Sequence, residues 1–276
     1  MGAASGERDH REFLAGIRVG DLWGGTVAEV ERSRVTVVLD GFPARPLGII
    51  WAHDVSWSSS PSEVMKAGRW ITAEVIAVDV EEGRARLATT ATENPELWAF
   101  LKSRRSGEIL SGTVAAVEPF GVFLALEDGP EHPVLPGVGF ITIPELSWRH
   151  VEAVSDVVQV GHHVSCVFLG FDTWYGEARL SLRAARPDPF QVFADSVTAG
   201  EVLRGKVTRM ITFGVFVRVA DGVEGLLHAR EFALDRPATA RPAVEAGDEI
   251  AVVVLDVDRQ RRRLTLSRYR SSADSR

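Results

Sequence analysis

The sequence has almost no cysteine, no long apolar run and no recognisable signal peptide. Cys166 is the only cysteine and lies in the strand-like run Val164–Leu169, so an intrachain disulfide is impossible and a metal-thiolate site is disfavoured. No apolar run reaches the length of about 18 residues that a transmembrane helix needs. Met1–Glu12 is polar and lacks the apolar core of a signal peptide. These absences favour a protein of the reducing cytoplasm that has no membrane partner.

Motifs that carry catalysis are missing as well. The chain has no phosphate-binding loop, no paired carboxylates in a metal-binding motif, and no Ser–His–Asp or Cys–His set in a recognisable context. His162 and His163 are adjacent, and strand alternation would place them on opposite faces, which disfavours a shared metal ion. We therefore expect a protein that is not an enzyme, with no catalytic residue, no metal and no cofactor.

A long internal repeat is the main positive feature. The motifs that begin at Gly25, Gly112 and Gly205 each read glycine, a polar residue and valine. Units of this size are small domains that can each bury a core, rather than turns of a solenoid. The predicted segments are a polar tail (1–17), a first domain (18–90), a helical linker (91–106), a second domain (107–185), a second helical linker (186–198), a third domain (199–270) and a tail (271–276).

Each repeat contains several short segments that alternate apolar and polar residues, as β-strands do. The third repeat shows five of them, at 203–209, 214–219, 223–227, 249–257 and 263–267. The repeat endings also look alike: Arg84-Ala85-Arg86-Leu87, Arg179-Leu180-Ser181-Leu182 and Arg263-Leu264-Thr265-Leu266. The two linkers carry Asn94-Pro95 and Asp188-Pro189, each a capping residue followed by proline at the first helical position. The pattern predicts an all-β protein with short helices between the domains.

The motifs of the third repeat resemble the S1 RNA-binding domain family. They are Gly205-Lys206-Val207, Phe213-Gly214-Val215-Phe216, Gly225-Leu226-Leu227-His228 and Leu264-Thr265-Leu266-Ser267, in that order. The three tandem repeats resemble those of bacterial ribosomal protein S1, after which the family is named. The resemblance implies three tandem five-stranded OB-fold barrels joined by short α-helical linkers. It also implies that the third domain binds single-stranded RNA through Phe213, Phe216, His228, Asp258, Arg262 and Arg263, with bases stacked on the aromatic rings.

The other two repeats keep less of this pattern. In the second, Phe120, Phe123 and Arg179 match the RNA-binding positions, and Thr142 stands where the third repeat has His228. In the first, Ser33 and Thr36 replace the two phenylalanines and Trp51 replaces the histidine. The first repeat is therefore expected to have a degenerate RNA site and to serve as a structural module or a protein contact. Whether the second repeat binds RNA stays open.

Charge is distributed unevenly along the chain. The whole sequence has a formal net charge of −7. Residues 18–90 hold 8 basic and 10 acidic groups, residues 107–183 hold 3 and 10, and residues 199–270 hold 13 and 10. Because single-stranded RNA is held partly through its phosphates, it should prefer the third domain, which alone has a basic excess.

These observations predict a cytoplasmic single-stranded RNA-binding protein that acts on mRNA, in translation or its regulation. The alternative is a protein-interaction adapter whose domains bind the ribosome or another partner and whose RNA affinity is incidental. The expected partners are single-stranded RNA and, through the first domain, the ribosome or another translation-related protein.

Overall fold

The computed structural model describes residues 10–149, 151–233 and 244–269, which form three closed five-stranded barrels. This architecture confirms the predicted all-β fold of three OB-type barrels with short connecting helices. The first barrel contains β1 (Leu22–Val30), β2 (Arg34–Leu39), β3 (Gly48–Trp51), β4 (Trp70–Asp79) and β5 (Arg84–Ala88). The second contains β6 (Ile109–Glu118), β7 (Gly121–Leu126), β8 (Gly139–Thr142), β9 (His163–Asp172) and β10 (Glu177–Ser181). The third contains β11 (Val202–Ile211), β12 (Gly214–Ala220), β13 (Val223–His228), β14 (Glu249–Asp258) and β15 (Arg263–Arg268).

All three barrels close in the same way. The first three strands form an antiparallel meander, the fourth pairs with the first, and the last pairs in parallel with the third. The long first strand carries a register shift in each barrel, for example between Val207 and Arg209. A bulge of this kind bends the first strand sharply. The strand can then pair with the fourth strand along its first half and with the second strand along its second half.

A repeated glycine explains how the parallel pair fits together. Gly48 and Gly139 pair with the last strand of their barrels, and Gly225 directly precedes the residues of β13 that do so. A β-carbon added at Gly225 would lie 2.5 Å from a methyl group of Leu266, and Gly139 has the same relation to Leu180 at 2.6 Å. Since these leucines are fully buried, the glycine leaves the space that the core leucine fills.

The strand pairing corrects one expectation about the repeats. Phe140 pairs with Arg179 and Leu226 pairs with Thr265, so Arg179 occupies the position of Thr265. The similar repeat endings instead predict that Arg179 is the equivalent of Arg263. The structural equivalent of Arg263 in the second barrel is Glu177, since these two residues pair with Asp258 and Asp172 respectively. That prediction was wrong by two residues because the similar ending Arg-Leu-Ser-Leu starts later in the second barrel.

Seven short α-helices lie between strands in the described part of the chain, and residues 10–15, before β1, are helical as well. The seven are α1 (Ala52–Val55), α2 (Pro61–Val64), α3 (Thr90–Glu93), α4 (Pro95–Ser103), α5 (Ile143–Leu146), α6 (Pro189–Ser196) and α7 (Arg230–Ala233). None of the helices within these residues is long and apolar enough to span a membrane.

The two predicted linker helices are α4 and α6. Asp188 caps α6, since its carboxylate accepts a hydrogen bond from the Phe190 amide at 2.8 Å. The same expectation for Asn94 was wrong, because its side chain makes no cap hydrogen bond and the residue also ends α3. Proline at the first position of α4 therefore starts that helix without a side-chain cap.

Contacts divide the chain into two units. One unit is Met1–Leu146 with Val151–Ala185, and the other is Ser147–His150 with Arg186–Arg276. The first unit holds the first two barrels and α4. Leu97 and Leu101 of α4 join the core of the second barrel, while Trp98 packs in a smaller cluster with Ala88. In the second unit, Phe190 and Ala194 of α6 join the core of the third barrel.

The first two barrels are joined by a group of aromatic side chains that surrounds Trp57. The Trp57 indole donates to the Thr173 carbonyl at 3.0 Å, and its ring centroid lies 6.2 Å from Trp98 and 5.7 Å from His132. His53 stacks on Trp174 with centroids 4.1 Å apart and planes 10° apart. Trp174 is thus stacked against the first barrel, although 57% of it is exposed.

Candidate functional site

The predicted aromatic residues of the third barrel lie where β12 begins. Phe213 occupies the turn before β12 and is 52% exposed. Phe216 faces outward from β12, since its neighbours Val215 and Val217 are buried in the core. The guanidinium carbon of Arg209 lies 4.5 Å from the centroid of the Phe216 ring. Both rings are therefore on the outside of the barrel, and one of them already carries a cation.

His228 lies on β13, the strand next to β12, and Arg263 lies on β15, the strand after that. His228 ends β13 opposite Gly214, and its Nδ1 accepts a hydrogen bond from the Arg230 amide at 3.2 Å. Arg263 begins β15 and is exposed, as His228 is. Because β13 lies between β12 and β15, the structure puts Phe213, Phe216, His228 and Arg263 on three adjacent strands and the turn that leads into them.

Asp258 shapes the turn between β14 and β15. Its carboxylate accepts a hydrogen bond from the Arg261 amide at 2.8 Å, and this bond, together with the Arg261 charge, lowers the pKa of Asp258. The same carboxylate lies 3.4 Å from the Arg261 guanidinium. Asp258 thus holds the turn that precedes Arg263, and direct contact with RNA stays a prediction for it.

The Arg262 side chain contacts the linker helix α6 and its capping residue. Its guanidinium is ion-paired with Asp188, the capping residue of α6, and lies 4.6 Å from the Trp148 ring and 5.4 Å from the Phe190 ring. Arg262 has a φ of 52°, and it is the one non-glycine residue with positive φ in the described ranges. The equivalent turn residues of the other barrels are Gly83 and Gly176, so these contacts hold an arginine at a position that favours glycine.

Several further cations, which the family motifs did not predict, lie on this face. Arg209 and Arg218 pair across the β11–β12 ladder with Phe216 and Lys206. Both arginines are exposed, as are Arg204 and Lys206. Strand alternation in the sequence could have indicated Arg218, because residues 216 and 218 lie on the same face of a strand. The face therefore has more positive charge beside the rings than the family motifs alone predicted.

The matching face of the second barrel is a compact aromatic cluster. Phe120 is 60% exposed, whereas Phe123 is only 7% exposed. Phe140, which the sequence analysis did not identify, covers Phe123 with ring centroids 4.8 Å apart. The Arg179 guanidinium lies 5.2 Å from the Phe140 ring and is bonded to Asp172 at 2.7 Å. Of the two predicted rings, only Phe120 presents a large surface to solvent.

Glu177 is a buried acid beside this cluster. It is 4% exposed and lies 3.1 Å from Arg179. Burial raises the pKa of Glu177 to about 7, and repulsion from Asp172 adds to this effect while the Arg179 charge opposes it. The carboxyl group therefore keeps its proton in the folded protein at pH values where an exposed glutamate has lost it.

We predict a pH dependence of stability from this group. The folded state binds the Glu177 proton more tightly than the unfolded chain, so its contribution is largest below about pH 4.5 and is lost as pH rises through about 7. Glu177→Gln should match the parent chain at about pH 5 and exceed it by about 2 kcal/mol at about pH 8. Urea unfolding at both pH values measures this difference. A variant that is less stable than the parent at the higher pH would show that the ion pair with Arg179 dominates.

The first barrel has lost the aromatic pair. Arg34 pairs with Trp51 and Thr36 with Ile49, which is the register that Gly214 and Phe216 show with His228 and Leu226. Ser33 and Thr36 thus occupy the two phenylalanine positions, as expected. The arginines of this face are engaged with acids, in the pairs Arg34–Glu31 at 2.9 Å, Arg84–Glu82 at 2.9 Å and Arg86–Asp54 at 3.3 Å.

A metal site is not evident in the described residues, which contain no group of three or more His, Cys, Asp or Glu side chains arranged to hold an ion. Cys166 is buried in the core of the second barrel, and burial raises the pKa of its thiol to about 12. A thiolate at this position is therefore strongly disfavoured near neutral pH.

Comparison with known proteins agrees with the fold. The S1 RNA binding domain family matches residues 104–183 and 196–269. Small ribosomal subunit protein bS1 of Mycobacterium leprae is 35% identical over 212 residues, which are 75% of this chain and 42% of that protein. The bS1 protein of Leuconostoc lactis is 34% identical over 71% of this chain and 45% of its own length.

A Bacillus cereus protein described as a homolog of bS1 is 32% identical over 72% of this chain and 51% of its own length. The chain therefore spans about half the length of these relatives, or less. The two family matches lie on the second and third barrels, and the same five-stranded topology recurs in the first. This chain belongs to the S1 RNA-binding domain family.

Proposed function

We propose that this protein binds single-stranded RNA through the outer face of the third barrel and acts with the ribosome in translation or its regulation. The observation that carries the proposal is the combination of outward-facing aromatic rings and exposed cations on one face. Phe213 and Phe216 offer stacking surfaces, and Arg209, Arg218 and Arg263 add positive charge on adjacent strands, with Arg218 also lying 3.6 Å from Glu224. Single-stranded RNA is bound by this combination in proteins that track the phosphate backbone and stack the bases.

Equivalent positions in the three barrels support the choice of the third. Strand registers align its cations with uncharged or acidic residues of the second barrel. Arg204, Lys206, Arg209, Arg218 and Arg263 correspond to Ser111, Thr113, Ala116, Ala125 and Glu177. The difference favours RNA at the third barrel, because each phosphate contact there gains a positive partner that the second barrel lacks.

The relatives supply the biological setting of the proposal. Proteins described as small ribosomal subunit protein bS1 match most of this chain, so we place it in the cytoplasm with mRNA and the ribosome as partners. We assign the protein contact to the first barrel, since it lacks the aromatic pair and its face arginines are already ion-paired. Because the proposed function is the binding of RNA and protein, it requires no catalytic residue.

Titration of a fluorescently labelled oligouridine with the full chain tests the proposal. We expect binding that weakens with salt, with a slope of log K against log salt of roughly −1 to −3, because a few arginines displace a few counterions. Oligomers of mixed sequence should bind with similar affinity, since stacking accepts every base. Binding that does not change with salt, or the absence of binding at low salt, would contradict the proposal.

Arg262 and Arg263 form a matched pair for a second prediction. Arg263→Ala should weaken RNA binding by about 1 kcal/mol and leave the melting temperature unchanged, because the side chain is exposed. Arg262→Ala should instead lower stability by about 1–2 kcal/mol, since it removes the contacts to Asp188, Trp148 and Phe190. RNA affinity and thermal unfolding of both variants are the measurements. The reverse pattern would assign the RNA contact to Arg262.

A further inference from the structure

The outer face of the second barrel has an exposed aromatic ring on a firm support. The Phe120 ring centroid lies 6.3 Å from that of Phe123 and 6.0 Å from that of Phe140. The two supporting rings are buried, and their centroids are 4.8 Å apart. An exposed ring that rests on two packed rings loses little conformational entropy when a ligand covers it. This cluster is therefore preorganised to bind a ligand on the exposed surface of Phe120.

The charge around this ring is unfavourable for RNA. Residues 107–183 contain three arginines and ten acidic residues. Arg179 is bonded to Asp172 and Glu177, and Arg183 is bonded to Glu145 at 2.6 Å. The remaining arginine, Arg149, belongs to the same contact unit as the third barrel and is paired there with Asp221. The arginines of this barrel are thus committed to carboxylates, and a phosphate would meet a net negative surface.

The residues closest in sequence to Phe120 continue this trend. Glu118 pairs with Gly121 at the end of β6, at the position that Ile211 holds in the third barrel. Ala116 pairs with Phe123 where Arg209 pairs with Phe216. The second barrel therefore has no counterpart of Arg209 beside Phe123, and it has an acid, Glu118, at the strand end that leads into Phe120.

We propose that this face docks a basic, arginine-bearing peptide segment of a partner protein, with one guanidinium stacked on Phe120. Charge complementarity selects the partner, because the ring has Glu118 nearby and the barrel around it is acidic. The molecule shows the geometry twice, in Arg209 over Phe216 at 4.5 Å and Arg179 over Phe140 at 5.2 Å. In the proposed complex, an arginine of the partner stacks on Phe120 as Arg209 stacks on Phe216 and Arg179 on Phe140 within the chain.

The proposal can be tested with the full chain and three labelled probes. These are a peptide of four Arg-Gly-Ser repeats, the same peptide with glutamate for arginine, and an oligouridine of similar length. The parent chain should bind the arginine peptide and not the glutamate peptide. Phe120→Ala and Glu118→Gln should each weaken peptide binding by about threefold to tenfold, equivalent to about 1 kcal/mol. Both variants should bind oligouridine within about twofold of the parent chain.

Matched controls separate this site from the RNA site. Phe213→Ala, at the equivalent position of the third barrel, should weaken oligouridine binding and leave peptide binding unchanged. Glu152→Gln removes one acid from the connection between β8 and β9 and should leave peptide binding within about twofold. Circular dichroism checks that each variant is folded. The proposal does not rest on RNA binding by the third barrel, since the peptide readout stands without it.

Several outcomes would overturn the proposal. One is that the arginine peptide fails to bind the parent chain, or that it binds Phe120→Ala as tightly as the parent chain. Equal binding would mean that the overall negative charge of the barrel attracts the peptide and that the Phe120 ring does not contribute. Another is that Phe120→Ala weakens oligouridine binding and not peptide binding, which would make this face an RNA site. A third is that Phe120→Ala abolishes self-association of the chain in sedimentation, which would assign the face to a second copy.

Discussion

Phe216→Ala in the full chain is expected to weaken binding of single-stranded RNA by about 1–3 kcal/mol, a loss of roughly fivefold to more than a hundredfold. The ring faces outward and carries the Arg209 guanidinium at 4.5 Å, so its removal eliminates a stacking surface and frees the cation from its position. Titration of a labelled oligouridine at moderate salt measures the loss. The largest effect is expected at low temperature, where the stacked state is most populated.

Thermal unfolding of the same variant separates a binding role from a packing role. A phenylalanine in the core would cost about 3–5 kcal/mol of stability when replaced by alanine, whereas an outward ring should cost much less. Thr36→Ala is the matched control, because Thr36 has the same register in the first barrel. It should leave RNA affinity unchanged. Full RNA affinity in Phe216→Ala would show that the RNA site is elsewhere.

Trp57→Ala is expected to lower the unfolding free energy of the first two barrels by about 3 kcal/mol. The indole fills the junction between them, where it contacts Trp98 and His132 and donates to the Thr173 carbonyl. A β-carbon added at Gly176 would lie 2.6 Å from this ring, which shows how tightly the turn between β9 and β10 is packed against it. Denaturant unfolding followed by far-ultraviolet circular dichroism measures the change.

Two controls define what Trp57 contributes. Trp57→Phe keeps an aromatic ring and loses the indole hydrogen bond, so it should cost only about 1–2 kcal/mol. Trp70→Ala removes an exposed indole whose N–H donates to Asp40, and it should cost about 1 kcal/mol or less. If Trp57→Ala unfolds like Trp70→Ala, the first two barrels do not depend on each other for stability.

This junction also involves two exposed aromatic residues of the second barrel, Trp174 and Tyr175. Trp174 and Tyr175 lie in the turn between β9 and β10, where exposed aromatics suggest nucleic-acid contact. His53 occupies one face of Trp174, and the Tyr175 carbonyl accepts a hydrogen bond from His132 at 2.8 Å. The turn therefore serves first to join two barrels, and its aromatic residues are less available for RNA than their exposure implies.

The sequence alone was sufficient for the fold. Alternating strands, the repeated glycine in each third strand and the prolines of the two linkers are local signals, and each can be recognised without the others. The outward position of Phe213 and the loss of both rings at Ser33 and Thr36 also followed from the family pattern. These features depend on a residue's own strand and its immediate neighbours, which the order of residues records directly.

Tertiary structure decided the features that depend on pairing between distant segments. The match of Arg179 with Thr265 instead of Arg263 is a shift of two residues, and such a shift leaves the alternation of faces unchanged. The engagement of Arg262 with Asp188 and the covering of Phe123 by Phe140 likewise join residues that are far apart in the chain. Periodicity reports which face a side chain is on, but only the folded chain determines which partner it meets there.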